Sequence, residues 1–249
     1  MYISNAKLTN LEEISASSFL FLHCLSDSLA GYKNDVQMSV IDPSMKEAPL
    51  TSTKNMFYEL FNMESIDGLE NLNTADVTDM KEMFYSCKRL TTLDLSTFDT
   101  RKVTDMEGMF ENCTWLGILD LTSFNVSNVT NFMLMFSQCT HLKTICCFGD
   151  WSISTAQSGY MFYGCRALRG DKGTAYTDAV TDKTYARPDG GTDAPGYFTA
   201  DTMTGIEEIH NSQFIIHNEE EAVFNLAGQR MNKMQRGINI VGGKKVMLR

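Results

Sequence analysis

Four cysteines, Cys87, Cys113, Cys139 and Cys165, follow one another at 26-residue intervals. Each closes a segment rich in methionine and aromatic residues: "VTDMKEMFYSC", "VTDMEGMFENC", "VTNFMLMFSQC" and a looser "STAQSGYMFYGC". A cysteine recurring in this way could belong to a thiol site, a metal site or the core. The spacing matches neither CxxC nor a zinc-ligand pattern. The total of seven cysteines is odd, so they cannot all pair within one chain. Equivalent positions on successive units point instead to free, buried thiols acting as small hydrophobes.

Other residues that could carry chemistry give weaker patterns. There is no HExxH and no GxSxG. The stretch "GINIVGGKK" is close to a phosphate-binding loop, but Gly243 stands where the lysine is required, and the residues read as strand, turn, strand. Glu207, His210 and His217 lack a third ligand at suitable spacing, so no metal is expected there. Cys24 in "FLHCL" lacks the small preceding residues of a lipid-attachment site and reads as structural. The expectation is a chain that is not an enzyme and carries no cofactor and no metal.

The elements that would position these residues come from a fixed period, the mark of stacked repeats. Met80, Met83, Phe84 and Cys87 stand at i, i+3, i+4 and i+7, as do Met106, Met109, Phe110 and Cys113, and Phe132, Met135, Phe136 and Cys139. That spacing predicts one stripe of a two-turn α-helix. Thr104 with Glu107, and Asp79 with Glu82, fit capping boxes at its start. The residues that follow alternate, as in "LTTLDLS" and "LGILDLT". Leu93, Leu95, Leu119, Leu121, Ile145 and Cys147 are predicted to point inward from short strands. The outward face then shows Thr92, Asp94 and Ser96, next Ile118, Asp120 and Thr122, then Thr144, Cys146 and Phe148. This face is the candidate partner-binding surface, with Asp94 and Asp120 as near neighbours on strands ~4.8 Å apart and Cys146 as its one exposed thiol. The alternative role for these aspartates is to hydrogen-bond the turn that follows.

The predicted fold class is therefore α/β repeat: a leucine-rich-repeat-like solenoid of 26-residue strand and short-helix coils with a parallel sheet, plus a small C-terminal β module. Three regions are expected. Residues 1–35 are an ill-defined N-terminal segment, 36–200 the capped solenoid, and 201–249 the β module. An earlier irregular unit has Leu60 in the cysteine slot, preceded by a strand in "QMSVIDPSM". After Leu168, Tyr176, Tyr185, Tyr197 and Phe198 are expected to fold over the last coil. "INIV-GG-KKVML" predicts a two-residue hairpin.

Bulk composition limits the partners. The formal net charge is −10; residues 205–249 carry six Lys/Arg and five Asp/Glu, a net +1, which leaves −11 on the preceding body. Such a body repels a phosphate backbone and an anionic membrane surface, so no nucleic acid is expected as a partner. The apolar run "FLFLHCL" is far short of the ~20 residues that span a bilayer, so no transmembrane segment is expected. Glu12 and Glu13 make it a poor secretory signal.

The units "LTTLDLSTFDTRKVTDMEGMFENC" and "LGILDLTSFNVSNVTNFMLMFSQC" resemble the repeats of BspA-type leucine-rich-repeat surface proteins of bacteria, over about residues 36–200. The tail "VFNLAGQRMNKMQRGINIVGGKKVMLR" is similar to short C-terminal sorting or anchoring segments of exported Bacteroidales proteins. The resemblance implies display at the cell surface or secretion. It implies an adhesin-like, non-enzymatic module whose partner is a host matrix protein or a microbial surface protein. The alternative is a structural spacer of the envelope with no specific ligand. The resemblance implies no fixed ligand and carries over no residue roles.

Overall fold

The computed structural model describes residues 36–200 in full. Elsewhere it describes the backbone of the strands Tyr2–Ile3, Ile206–Ile209, Val223–Phe224, Arg230–Met231, Gly237–Val241 and Lys244–Leu248. Cys24, His210 and His217 lie outside the described residues. The chain divides into two compact units, Met1–Thr199 and Ala200–Arg249.

The first unit is built by the 26-residue period. Isolated parallel bridges join Ser52 to Asp79, Asp79 to Asp105, Asp105 to Asn131 and Asn131 to Gln157, one equivalent position after another. The segments that follow these bridges are successive turns, and no α-helix occurs among the described residues. This corrects the two-turn helix. Met83, Tyr85 and Cys87 donate their N–H groups three residues back, to Met80, Glu82 and Phe84. The alternate donors, Met80, Glu82, Phe84 and Ser86, reach the carbonyls of Asp105, Glu107, Met109 and Glu111 on the next repeat at 2.8–2.9 Å. An α-helix would turn its donors, past the first turn, onto carbonyls four residues back. Here half of them bind neighbouring repeats together.

The conformation that diverts these donors is left-handed. Glu82 (φ 55°) and Ser86 (φ 57°) recur as Gly108 and Asn112, then as Leu134 and Gln138. A left-handed residue every fourth position returns the same side chains inward at i, i+3, i+4 and i+7 as a helix does. Met80, Met83, Phe84 and Cys87 are therefore fully buried. The predicted capping boxes are also replaced. Asp79 and Asp105 accept from the N–H two residues on, and the Thr104 hydroxyl donates to the Thr78 carbonyl of the previous repeat.

The core is columnar. Phe57, Phe84, Phe110, Phe136 and Phe162 stack in sequence, with ring centroids 5.4–5.8 Å apart and planes within 12°. Strands are short: β1 (Tyr2–Ile3), β2 (Met38–Ile41) and β3 (Ser65–Asp67) form one parallel sheet. β4 (Ile118–Asp120), β5 (Thr144–Cys146) and β6 (Phe198–Thr199) form another, also parallel. Gly68, at φ 75°, lets the chain leave β3 under the Ile41 carbonyl, where a Cβ would lie only 2.3 Å from that oxygen.

At the C-terminal end of this unit, Tyr197 and Phe198 meet the Phe162 ring edge-on at 5.2 and 6.2 Å, and Tyr185 and Tyr176 pack on Tyr197. Asp189, buried, fixes the loop beneath by accepting from the Lys172, Thr174 and Gly191 N–H groups and the Thr174 hydroxyl. Burial raises its pKa, but these hydrogen bonds outweigh that and hold it below the usual aspartate range.

The second unit is one five-stranded sheet, in the order β7 (Ile206–Ile209), β11 (Lys244–Leu248), β10 (Gly237–Val241), β8 (Val223–Phe224), β9 (Arg230–Met231). β10 and β11 pair antiparallel, with Val241 opposite Lys244, the register expected of a two-residue hairpin.

Candidate functional site

The residues of the predicted outward face occupy three consecutive repeats. β4 and β5 place Ile118 beside Thr144 and Asp120 beside Cys146. Thr92, Asp94 and Ser96 lie in an irregular segment ahead of them, outside any strand. Inward alternation holds where it was predicted: Leu95, Leu119, Leu121, Ile145 and Cys147 are buried, and Leu93 packs against the core.

Both aspartates close the turn that follows them. The Asp94 carboxylate accepts from the Ser96 N–H at 3.0 Å. That of Asp120 accepts from the Thr122 N–H at 3.0 Å and from its hydroxyl at 2.7 Å. Asp94 remains exposed, while Asp120 is half-buried.

Cys146 does not sit on an exposed face; only 4% of it is accessible. β6 pairs with β5 and places Thr199, some fifty positions later, directly beside Cys146, so β5 is not at the sheet edge. The sequence carried a signal of this: "TICCF" breaks polar alternation with two consecutive thiols. Phe148, by contrast, is 46% exposed.

The repeat cysteines are thiols in the core. The Sγ of Cys87, Cys113, Cys139 and Cys165 donates to the carbonyl of Phe57, Phe84, Phe110 and Phe136, at 2.9–3.1 Å. Burial pushes their pKa values up, that of Cys139 to about 12, which keeps them protonated and unreactive. No group of three or more His, Cys, Asp or Glu positioned for a metal occurs among the described residues.

A second surface, which the sequence reading did not single out, lies on the outside of the turn segments. Tyr58 and Tyr85 stack there, centroids 4.7 Å apart and 11° from parallel. Lys81 pairs with Glu107 at 2.8 Å, and Asn131 Nδ2 donates to the same carboxylate. Burial raises the Glu107 pKa, but the hydrogen bonds from Lys81 and Asn131 bring it below the usual range. Burial holds Glu82 above it although Lys81 and Lys54 pull it down, and holds Glu111 above it with the help of the Glu82 and Glu107 carboxylates. Farther along come Leu134, Tyr160 and Tyr163, the two tyrosines edge-on at 5.9 Å. The signal for this surface was the set of residues between the stripe positions. An amphipathic helix reading assigns those residues to solvent and stops.

These stacked, hydrogen-bonded repeats define a repeat protein. The family described as "Mycoplasma protein of unknown function, DUF285" matches residues 51–181, more than half of the chain, and the chain belongs to that family. No curated protein and no solved structure matches it.

Proposed function

We propose that this chain is a non-enzymatic, surface-displayed or secreted protein-binding module, a BspA-type member of its family. Its first unit is a leucine-rich-repeat-like solenoid, and its last residues are a sorting or anchoring module. The single observation that carries this reading is the use of backbone donors. Half of the turn-segment N–H groups hold neighbouring repeats in register. The result is a rigid row of equivalent side chains, which suits recognition of an extended protein surface. The partner is a host matrix or microbial surface protein, met by the face of Asp94, Asp120 and Phe148 and its flanking loops. No helix of the described residues is long and apolar enough to cross a membrane.

A second reading, a spacer with no specific ligand, draws support from one contact set. The Asp94 and Asp120 carboxylates are already engaged by their own turns. An array of extracellular matrix and bacterial surface proteins separates the two. Saturable binding lost in the Asp94→Lys/Asp120→Lys variant supports the module. Binding to nothing, or binding indifferent to that variant, leaves the spacer.

A further inference from the structure

We propose that the outward surface of the turn segments is a second interaction site, which takes a basic peptide segment bearing aromatic side chains. Glu82, Tyr85, Glu111, Leu134, Tyr160 and Tyr163 form it. It is separate from the strand face and does not depend on that reading.

The first observation is the left-handed slot that recurs once per repeat. Gly108 fills it in one repeat, where a positive φ has no steric cost. The next two repeats place Leu134 (φ 60°) and Tyr160 (φ 58°) in the same slot. A bulky side chain there crowds its own backbone. The Leu134 N–H is used, donating to the Gly159 carbonyl of the next repeat at 3.0 Å, but that bond asks for no bulk in the side chain. The core below is filled by Phe132, Met135, Phe136, Met161 and Phe162, whereas Tyr160 is 61% exposed and Tyr163 45% exposed. Leu134 is half-buried next to these exposed rings, so the outward side of this slot offers an apolar and aromatic patch for contact with something outside the chain.

The second observation fixes the chemistry of that contact. Lys81 is engaged by Glu107. A Cβ on Gly108 would lie 3.2 Å from the Glu82 Cγ and 3.3 Å from a Glu111 carboxylate oxygen, so these two half-buried side chains flank one slot; the charges acting on Glu111 are the carboxylates of Glu82 and Glu107, while Glu82 also feels Lys81 and Lys54. A cation from a partner would meet these carboxylates with little loss of its own pairing, and the net charge of −10 draws basic segments toward the chain. Order along the stack then sets the spacing: the Tyr58–Tyr85 pair first, the carboxylates next, the apolar side chains one and two repeats on, at ~4.8 Å per repeat. A Lys or Arg over Glu111, with an aromatic residue reaching Leu134 and Tyr163, satisfies both.

The test is fluorescence anisotropy with the full chain and labelled peptides of roughly eight residues, long enough at ~3.3 Å each to cross the four repeats. The probes are alternating Lys/Phe, Glu/Phe and Lys/Ser peptides. Saturable binding of the Lys/Phe peptide alone is expected, weakened about tenfold or more by Leu134→Gly and by Glu111→Gln, and unchanged by Asp94→Lys/Asp120→Lys. Leu134→Gly relieves the backbone, so its melting temperature should not fall and a loss of binding cannot be blamed on misfolding. Equal binding of the Lys/Ser peptide, no saturable binding, or indifference to Leu134→Gly would overturn the proposal. So would self-association in sedimentation that Leu134→Gly abolishes, which would assign the surface to a second copy of the chain.

Discussion

The thiol of Cys113 shows how one atom is shared between repeats. Its Sγ donates to the Phe84 carbonyl, which also accepts the Cys87 N–H, both at 3.1 Å. Cysteine suits the slot because it is small and apolar and carries a weak donor. The same burial that removes its reactivity extends to Cys146. In a Cys24→Ser chain, native protein should therefore give no thiol labelling at neutral pH, and full labelling in denaturant; labelling of native Cys146 would contradict its place beside Thr199. Glu111 illustrates the opposite pressure. Its folded pKa lies above the ordinary value of 4.5, so its neutral form favours folding. That contribution is complete below the unfolded pKa and is lost as pH rises through the folded one. Glu111→Gln should raise the melting temperature at pH 7 by about 1–2 °C, the shift expected for a few tenths of a kcal/mol in a domain of this size. The gain should vanish below about pH 4. A variant less stable at pH 7 would mean that the carboxylate has a stabilising partner.

At the scale of the element, the turn segment and the helix it was predicted to be agree on burial and differ in hydrogen bonding. Met109 and Phe110 are buried in either. The periodicity of apolar residues reports which side chains face inward. It does not report where the N–H groups go, because both conformations return inward at three- and four-residue steps. The left-handed residues that decide the matter, Glu82, Ser86 and Leu134, have no local sequence preference for that conformation. They adopt it because it directs their N–H groups to the carbonyl row of the next repeat. Phe110→Ala should cost about 3–5 kcal/mol by chemical denaturation. It opens a cavity and removes ring contacts to both Phe84 and Phe136. A loss below about 1 kcal/mol would show that the column collapses to fill the gap.

At the scale of the whole molecule, stability should be divided among contacts between neighbouring repeats. Deleting Asp105–Thr130, one full 26-residue period, brings Thr104 to Asn131 and leaves every column in register. Such a chain should fold cooperatively, with a lower melting temperature. Deleting only Asp105–Gly117 puts turn segments beside strands and should abolish folding, as read by loss of near-ultraviolet circular dichroism. Folding of the half-period deletion would refute the register. By itself the sequence determined the period, the inward stripe of the three regular repeats and the antiparallel β10–β11 pair, because these depend on side-chain volume and local turn chemistry at fixed spacing. Only the tertiary structure decided that the turn segments are not helices, that β6 pairs beside the buried Cys146, and that Glu111, Leu134 and Tyr163 share one surface. Each of these depends on a donor, a strand or a charge brought from one or more repeats away.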